Sequence, residues 1–162
     1  MMGLWLDEIA MDQTYELGSY AFTRENVMAF ARKFDPQAFH LDDSAAAASH
    51  FGRLSASGWH TAAAWMHCYV ATNTRERARL QAEGKVLPEG GPSPGFATLR
   101  WLKPVYPGDG IAYRGVVTGQ RNLASRPGWG MLESQNGGWN QDGEQVFAFA
   151  GKVLVARRGD WA

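Results

Sequence analysis

The sequence predicts an α+β domain, with an antiparallel sheet wrapped round one long central helix. Three observations carry that expectation. A helix-period stretch from Gly58 to about Ala78 is apolar over most of its circumference, the mark of a buried helix. Everything beyond residue 95 reads as successive strands separated by turn signals. One leading strand and short helices come first, and helices segregated from an antiparallel sheet define the α+β class.

Composition narrows the field. A chain of 162 residues suits one domain and is short for two. The formal net charge is zero, so no basic field argues for nucleic acid or an anionic membrane surface. The single cysteine, Cys68, excludes an internal disulfide framework and any cysteine-rich zinc module. Met1–Glu8 lacks the basic start and apolar core of a signal peptide. No apolar stretch approaches the ~20 residues that a membrane span needs. The expectation is a cytoplasmic protein with neither nucleic-acid nor membrane partner. Seven tryptophans and nineteen glycines suit a turn-rich sheet with large aromatic core or interface residues.

The elements follow in order. Residues 1–13 show no period and read as an arm. Tyr15–Phe22 partly alternates and predicts a strand. Thr23 is a fitting N-cap for a helix over 24–34, where Val27, Phe30, Ala31 and Phe34 recur at helical spacing. Pro36 ends that helix, because the residue before a proline is pushed out of the helical region. Asp42 or Asp43 can cap a short helix over 44–49. In the long helix, Trp59, Ala62, Ala63, Met66, Tyr69 and Val70 form the expected core stripe, and Gly84 is the natural stop. Residues 84–95, rich in glycine and proline, predict a loop. Strands are expected over 96–105, 111–119, 131–136 (short) and 146–155. An irregular connection spans 120–130, Asn140-Gln141-Asp142-Gly143 makes a turn, and 157–160 is a solvated tail.

Two features carry chemistry. Asp35 and His40 lie five positions apart in a turn-prone segment. On spacing alone such a pair is usually a cap and a surface group. Beside Pro36, Ala38 and Phe39, however, it can hold one water between a base and an acid. Gly58 starts the long helix, where unpaired N–H groups and the positive dipole end can polarise a carbonyl. Alone, it reads as a helix start capped by Ser57. His50 reads as a loop residue. His60 and His67 share a helix face without a third ligand, so no metal is expected. Cys68 reads as core. No nucleophile elbow, phosphate loop or dinucleotide fingerprint is present.

Together these residues resemble the MaoC-like dehydratase family, the (R)-specific enoyl-CoA hydratases of the hot-dog fold. The family motif Asp-x-Asn-Pro-(apolar)-His is matched by Asp35-Pro36-Gln37-Ala38-Phe39-His40, with Gln37-Ala38 in place of Asn-Pro. The alanine run and Ala56-Ser57-Gly58 follow as in the family. Arg100–Asp109 and Gln141–Glu144 are similar to its later strand and turn.

The resemblance covers nearly the whole chain from about Tyr15 to Arg158 and implies a single hot-dog domain over 1–162. It implies Asp35 and His40 as the catalytic pair and Gly58 as the carbonyl-binding donor, with Phe39, Ser57 and Trp59 beside the substrate. The implied reaction is hydration or dehydration of an acyl thioester on CoA or an acyl carrier protein. No cofactor is needed beyond CoA as part of the substrate, and a homodimer or higher homo-oligomer is expected. Two other readings use the same fold: an acyl-CoA thioesterase, and a non-catalytic acyl-thioester binding subunit.

Overall fold

Alternation along Ile111, Tyr113, Gly115 and Val117 turns one face of a strand inward, and the side chains of Ile111, Tyr113 and Val117 share one core with the most apolar helix in the chain. The computed structural model describes residues 3–159. Its strands are β1 (Thr14–Ala21), β2 (Gly95–Trp101), β3 (Gly110–Asn122), β4 (Trp129–Trp139) and β5 (Gln145–Ala156). They form one sheet in the order β1-β3-β4-β5-β2, and every neighbouring pair is antiparallel. The helices α1 (Arg24–Phe34), α2 (Asp43–Ala47) and α3 (Gly58–Ala82) all lie in sequence between the two edge strands. Helix α3 crosses the sheet, placing Ala64, Trp65 and Cys68 in one core with Leu17, Val117, Phe147 and Phe149. This is the expected α+β architecture of a sheet around a long helix.

Local chemistry explains the helix ends. The Thr23 hydroxyl accepts from the Asn26 N–H (3.2 Å) at the start of α1. Asp42 accepts from Ala45 (2.8 Å) and so caps α2. Ser57 Oγ accepts from Trp59 (3.2 Å) and caps α3. Just past the far end of α3, Gly84 takes φ +75°, which only glycine adopts freely.

Several sequence expectations need correction. The leading segment is not a featureless arm: Leu6–Glu8 forms a 3₁₀ turn, and Leu6 and Ile9 are buried. Leu6 fills the space above Gly130, where a Cβ would stand 2.2 Å from its Cδ2. Residues 1–2 of that arm, and Asp160 of the tail, lie outside the described residues. Arg157 and Arg158 are not simply solvated, since the Arg157 Nε–H and the Arg158 backbone N–H both donate to the Asp7 carboxylate.

Strand β4 runs well past residue 136. Gly137 and Gly138 continue it because neighbouring side chains occupy their Cβ positions: Trp139 and Gln145 above one, Tyr113 and Ile111 above the other. Strand β2 stops at Trp101, before Pro104, and is bulged between Ala97 and Arg100, where Thr98 takes φ +51°.

The largest correction concerns α3. Its core face is His60, Thr61, Ala64, Trp65, Cys68 and Thr72. Trp59, Met66 and Val70, expected in the core, are each about half exposed (53%, 51% and 52%). Both faces of this helix are rich in apolar side chains, so periodicity alone cannot tell which one meets the sheet.

Candidate active site

Helix α1 ends at Asp35 (φ −153°, ψ 69°), leaving the carboxylate at a bend just ahead of Pro36. A 3₁₀ turn over Ala38–His40 then brings the imidazole back towards it. His40 is 4% exposed. Its Nδ1 lies 2.7 Å from the Ser55 carbonyl oxygen, which can only accept, so Nδ1 carries a proton and neutral His40 presents a bare Nε2. That Nε2 lies 3.5 Å from Asp35 Oδ2. The separation is too long for a tight hydrogen bond, yet one water oxygen on the cleft side can reach both groups.

Asp35 is held from two sides. Gln37 Nε2 donates to Oδ1 (2.7 Å) and the Ser57 hydroxyl donates to Oδ2 (2.7 Å). Desolvation pushes the carboxyl pKa up, but the bonds from Ser57 and Gln37 and the nearby His40 outweigh it and hold the group below the usual range. Asp35 is therefore an ionised acceptor at neutral pH.

Gly58 opens α3 beside this pair. Its backbone N–H has no hydrogen-bond partner among the described residues. A Cβ here would lie 2.5 Å from Cε2 and 2.6 Å from Nε1 of Trp101, so only glycine permits the indole to rest against the helix start. Trp59 meets that indole edge to face at 5.2 Å. A cleft of about 430 Å³ joins these parts, with Asp35, His40, Gly58, Phe39, Trp59 and Trp101 in its wall.

Five of the six residues singled out in the sequence thus share one cleft. The sixth, Ser57, is fully buried behind Asp35 and holds the carboxylate rather than facing the cleft. Sequence reasoning did not find the Gln37 donor, the Ser55 carbonyl or Trp101. Gln37 had a readable signal, an amide at the position where the motif carries asparagine. The other two depend on chain crossings that no local pattern announces. Among the described residues no group of three or more His, Cys, Asp and Glu could hold a metal ion, and no helix is long and apolar enough to cross a membrane.

A long helix laid across a five-stranded antiparallel sheet is the hot-dog architecture. The chain belongs to the MaoC-like domain family, whose model matches residues 8–128. It is 35% identical to a MaoC-like dehydratase from Rhodospirillum rubrum, with a TM-score of 0.80 over 98% of this chain and 100% of that one. YdeM of Bacillus subtilis, an uncharacterized protein, is 26% identical over 152 residues, 94% of this chain and 99% of that one. A mesaconyl-CoA hydratase from Cereibacter sphaeroides is 38% identical over 64 residues, which are 40% of this chain and 18% of that protein. An (R)-hydratase from Pseudomonas aeruginosa shares the fold, with a TM-score of 0.67 at 20% identity over 96% of this chain and 88% of that one.

Proposed function

We propose that this protein catalyses the (R)-specific hydration of 2-enoyl-CoA thioesters and the reverse dehydration of 3-hydroxyacyl-CoA. The observation that carries the reading is the 3.5 Å approach of His40 Nε2 to the Asp35 carboxylate, in one cleft with the unpartnered Gly58 N–H. Family membership and the hydratases among its relatives support the same chemistry.

The thioester carbonyl accepts from the Gly58 N–H at the positive end of α3. Asp35 and His40 hold a water over C3. Its oxygen bonds to C3 as the pair takes one of its protons, and the π electrons move towards the carbonyl oxygen as an enolate. Gly58 and the helix dipole stabilise that developing charge. A proton from the pair then reaches C2, so the net change is addition of H and OH across the double bond. The two groups share the proton handling in this cycle.

CoA is the proposed carrier, entering only as part of the substrate, and no cofactor is required. An acyl carrier protein thioester is the competing substrate. The apolar Trp59, Met66 and Val70 on α3, with Phe96, Trp101 and Leu102 along and just past the edge strand β2, support burial against a second copy as a homodimer. The proposed setting is the cytoplasm.

Hydration of crotonyl-CoA, followed by loss of the conjugated thioester absorbance, tests the reading. Asp35→Asn should lower turnover by roughly 10²–10⁴-fold, and the wild-type product should be the (R)-3-hydroxyacyl thioester. Full turnover by that variant would sink the mechanism. Release of free thiol from saturated acyl-CoA would replace it with a thioesterase.

A further inference from the structure

The segment that supplies the Ser55 carbonyl begins in the wall of the cleft. His50 and Phe51 line that wall together with Asp35, His40 and Gly58. Gly52 then takes φ +68°, a turn that glycine makes without strain. Arg53 next to it is exposed, whereas Leu54 and Ser55 are buried. The Ala56 N–H donates to the Val105 carbonyl (2.8 Å), and both of these residues return to the cleft wall. Arg53 therefore sits at the rim, between two stretches of chain that line the site.

This arginine is seated, not loose. Its guanidinium carbon lies 3.7 Å from the centre of the Tyr106 ring, a cation–π contact. Tyr106 is itself fixed at both ends. Its Oη donates to the Phe51 carbonyl (3.2 Å), and its backbone N–H donates to the Asp109 carboxylate (2.8 Å). The ring thus ties Arg53 to Phe51 of the wall. Ser55, whose carbonyl orients His40, is only two residues further on, a span of about 7 Å of extended chain.

The charge on Arg53 has no partner inside the fold. The guanidinium makes no hydrogen bond or ion pair among the described residues. Other cations near the cleft are spent: Lys103 of the wall pairs with Glu144, and Arg24 pairs with Asp43 (2.6 Å). Asp109 is engaged by the Tyr106 N–H and by the Gln141 amide (3.0 Å) instead of by Arg53. A guanidinium held on an aromatic face keeps its fork of N–H donors available, and that fork matches two oxygens of one phosphate.

We propose that Arg53, seated on Tyr106 at the rim of the cleft, binds a phosphate group at the end of the substrate's pantetheine arm. This rests on the hydratase reading, because the acyl thioester is what brings a phosphate to the cleft. CoA and an acyl carrier protein both end that arm in a phosphate, and CoA carries further ones beyond it. An arginine kept only for packing on Tyr106 would be indifferent to what the thioester is attached to.

The test compares hydration of crotonyl thioesters of pantetheine, phosphopantetheine and CoA. In the wild type, kcat/KM should favour CoA over unphosphorylated pantetheine by about tenfold, the scale of a charge-assisted hydrogen-bonded contact. Arg53→Ala should bring that ratio towards one by raising KM for CoA while kcat is kept, and Arg53→Lys should hold an intermediate value. The ratio is taken within each variant, so a smaller folded fraction does not disturb it. Lys33, two residues before Asp35 with its ammonium 5.0 Å from the Phe34 ring centre, is the charge-matched control. Lys33→Ala should leave the ratio in place. If phosphopantetheine loses as much as CoA in Arg53→Ala, the contact is to the phosphate that both carriers share; if CoA alone loses, it is to a phosphate of CoA's own. A wild-type ratio near one, or an unchanged ratio in Arg53→Ala, overturns the proposal. An equal loss in Lys33→Ala also overturns it, since that marks a general field and not a seat. Failure of the wild type to hydrate any enoyl thioester overturns the hydratase reading instead. Titration calorimetry with CoA alone then still reads the contact, which requires weaker binding by Arg53→Ala than by wild type.

Discussion

Two histidines in this molecule are almost equally buried, His40 at 4% and His60 at 5% exposure, and they are put to opposite uses. His40 sits on an irregular turn, with Nδ1 on the Ser55 carbonyl and Nε2 facing Asp35. His60 sits in the first turn of α3, stacked on Phe30 at 4.6 Å and edge-on to Phe22 and Tyr20. Its Nδ1 has no partner among the described residues, and burial pushes its pKa down to about 4. His60 is thus an aromatic filler that stays neutral, whereas His40 presents a ring nitrogen to a carboxylate, the arrangement that the proposed function uses for proton transfer. Burial does not separate the two; the partners of the ring nitrogens do.

Substitutions at the two sites should break along that line. The largest effect is expected for His40→Ala, a loss of roughly 10²–10⁴ in enoyl-CoA hydration, with circular dichroism unchanged. His60→Phe, measured beside it, should keep most of that activity. A large activity loss in His60→Phe with the fold intact would erase the distinction.

Gly58→Ala comes next. Its Cβ would displace the Trp101 indole, so kcat/KM should fall by about tenfold to a hundredfold, the scale on which misplaced groups cost rate. Thermal stability should not fall in parallel, because alanine is the better helix former by about 1 kcal/mol. Unfolding and turnover measured on one preparation separate these effects.

Ser57→Ala sharpens the picture of Asp35. It removes a donor to the carboxylate, so the Asp35 pKa should rise, and the acid limb of the kcat/KM profile should move to higher pH. The lost cap of α3 should lower stability by about 1 kcal/mol. An unmoved acid limb would mean that a group other than Asp35 governs it.

The smallest effect on activity, and the clearest on stability, belongs to acidification around His60. Its folded pKa of about 4 lies below the ordinary 6.5. Between those values the unfolded chain takes up a proton that the native ring refuses. Stability from this site is thus full above about pH 6.5 and is lost as pH falls towards 4. His60→Phe should flatten that fall, raising Tm at pH 4–5 relative to wild type by on the order of 5 °C. Equal slopes in both proteins would show that other groups carry the acid sensitivity.

The sequence was most legible where chemistry is local. Thr23, Ser57 and Gly84 mark helix boundaries through caps and a positive φ, and each lies at the expected helix end. Asp35, His40 and Gly58 are readable from a motif because one turn and one helix start bring them together. The motif does not say what holds Asp35 in place. Ser57 lies twenty-two residues away in sequence, and the carbonyl that orients His40 belongs to Ser55. The β4 glycines misled, since Gly137 and Gly138 weaken a strand locally and are kept in it by side chains from β3 and β5.

What the sequence determined by itself is the list of elements, the α+β class and the acid–imidazole pair, since each follows from short-range periodicity, capping or a compact motif. The tertiary structure alone decided which face of α3 meets the sheet and that Trp101 closes over Gly58. These outcomes depend on contacts between strands and helix far apart in the chain, where apolar surface of similar strength competes for one core. Packing, not pattern, chooses between the faces.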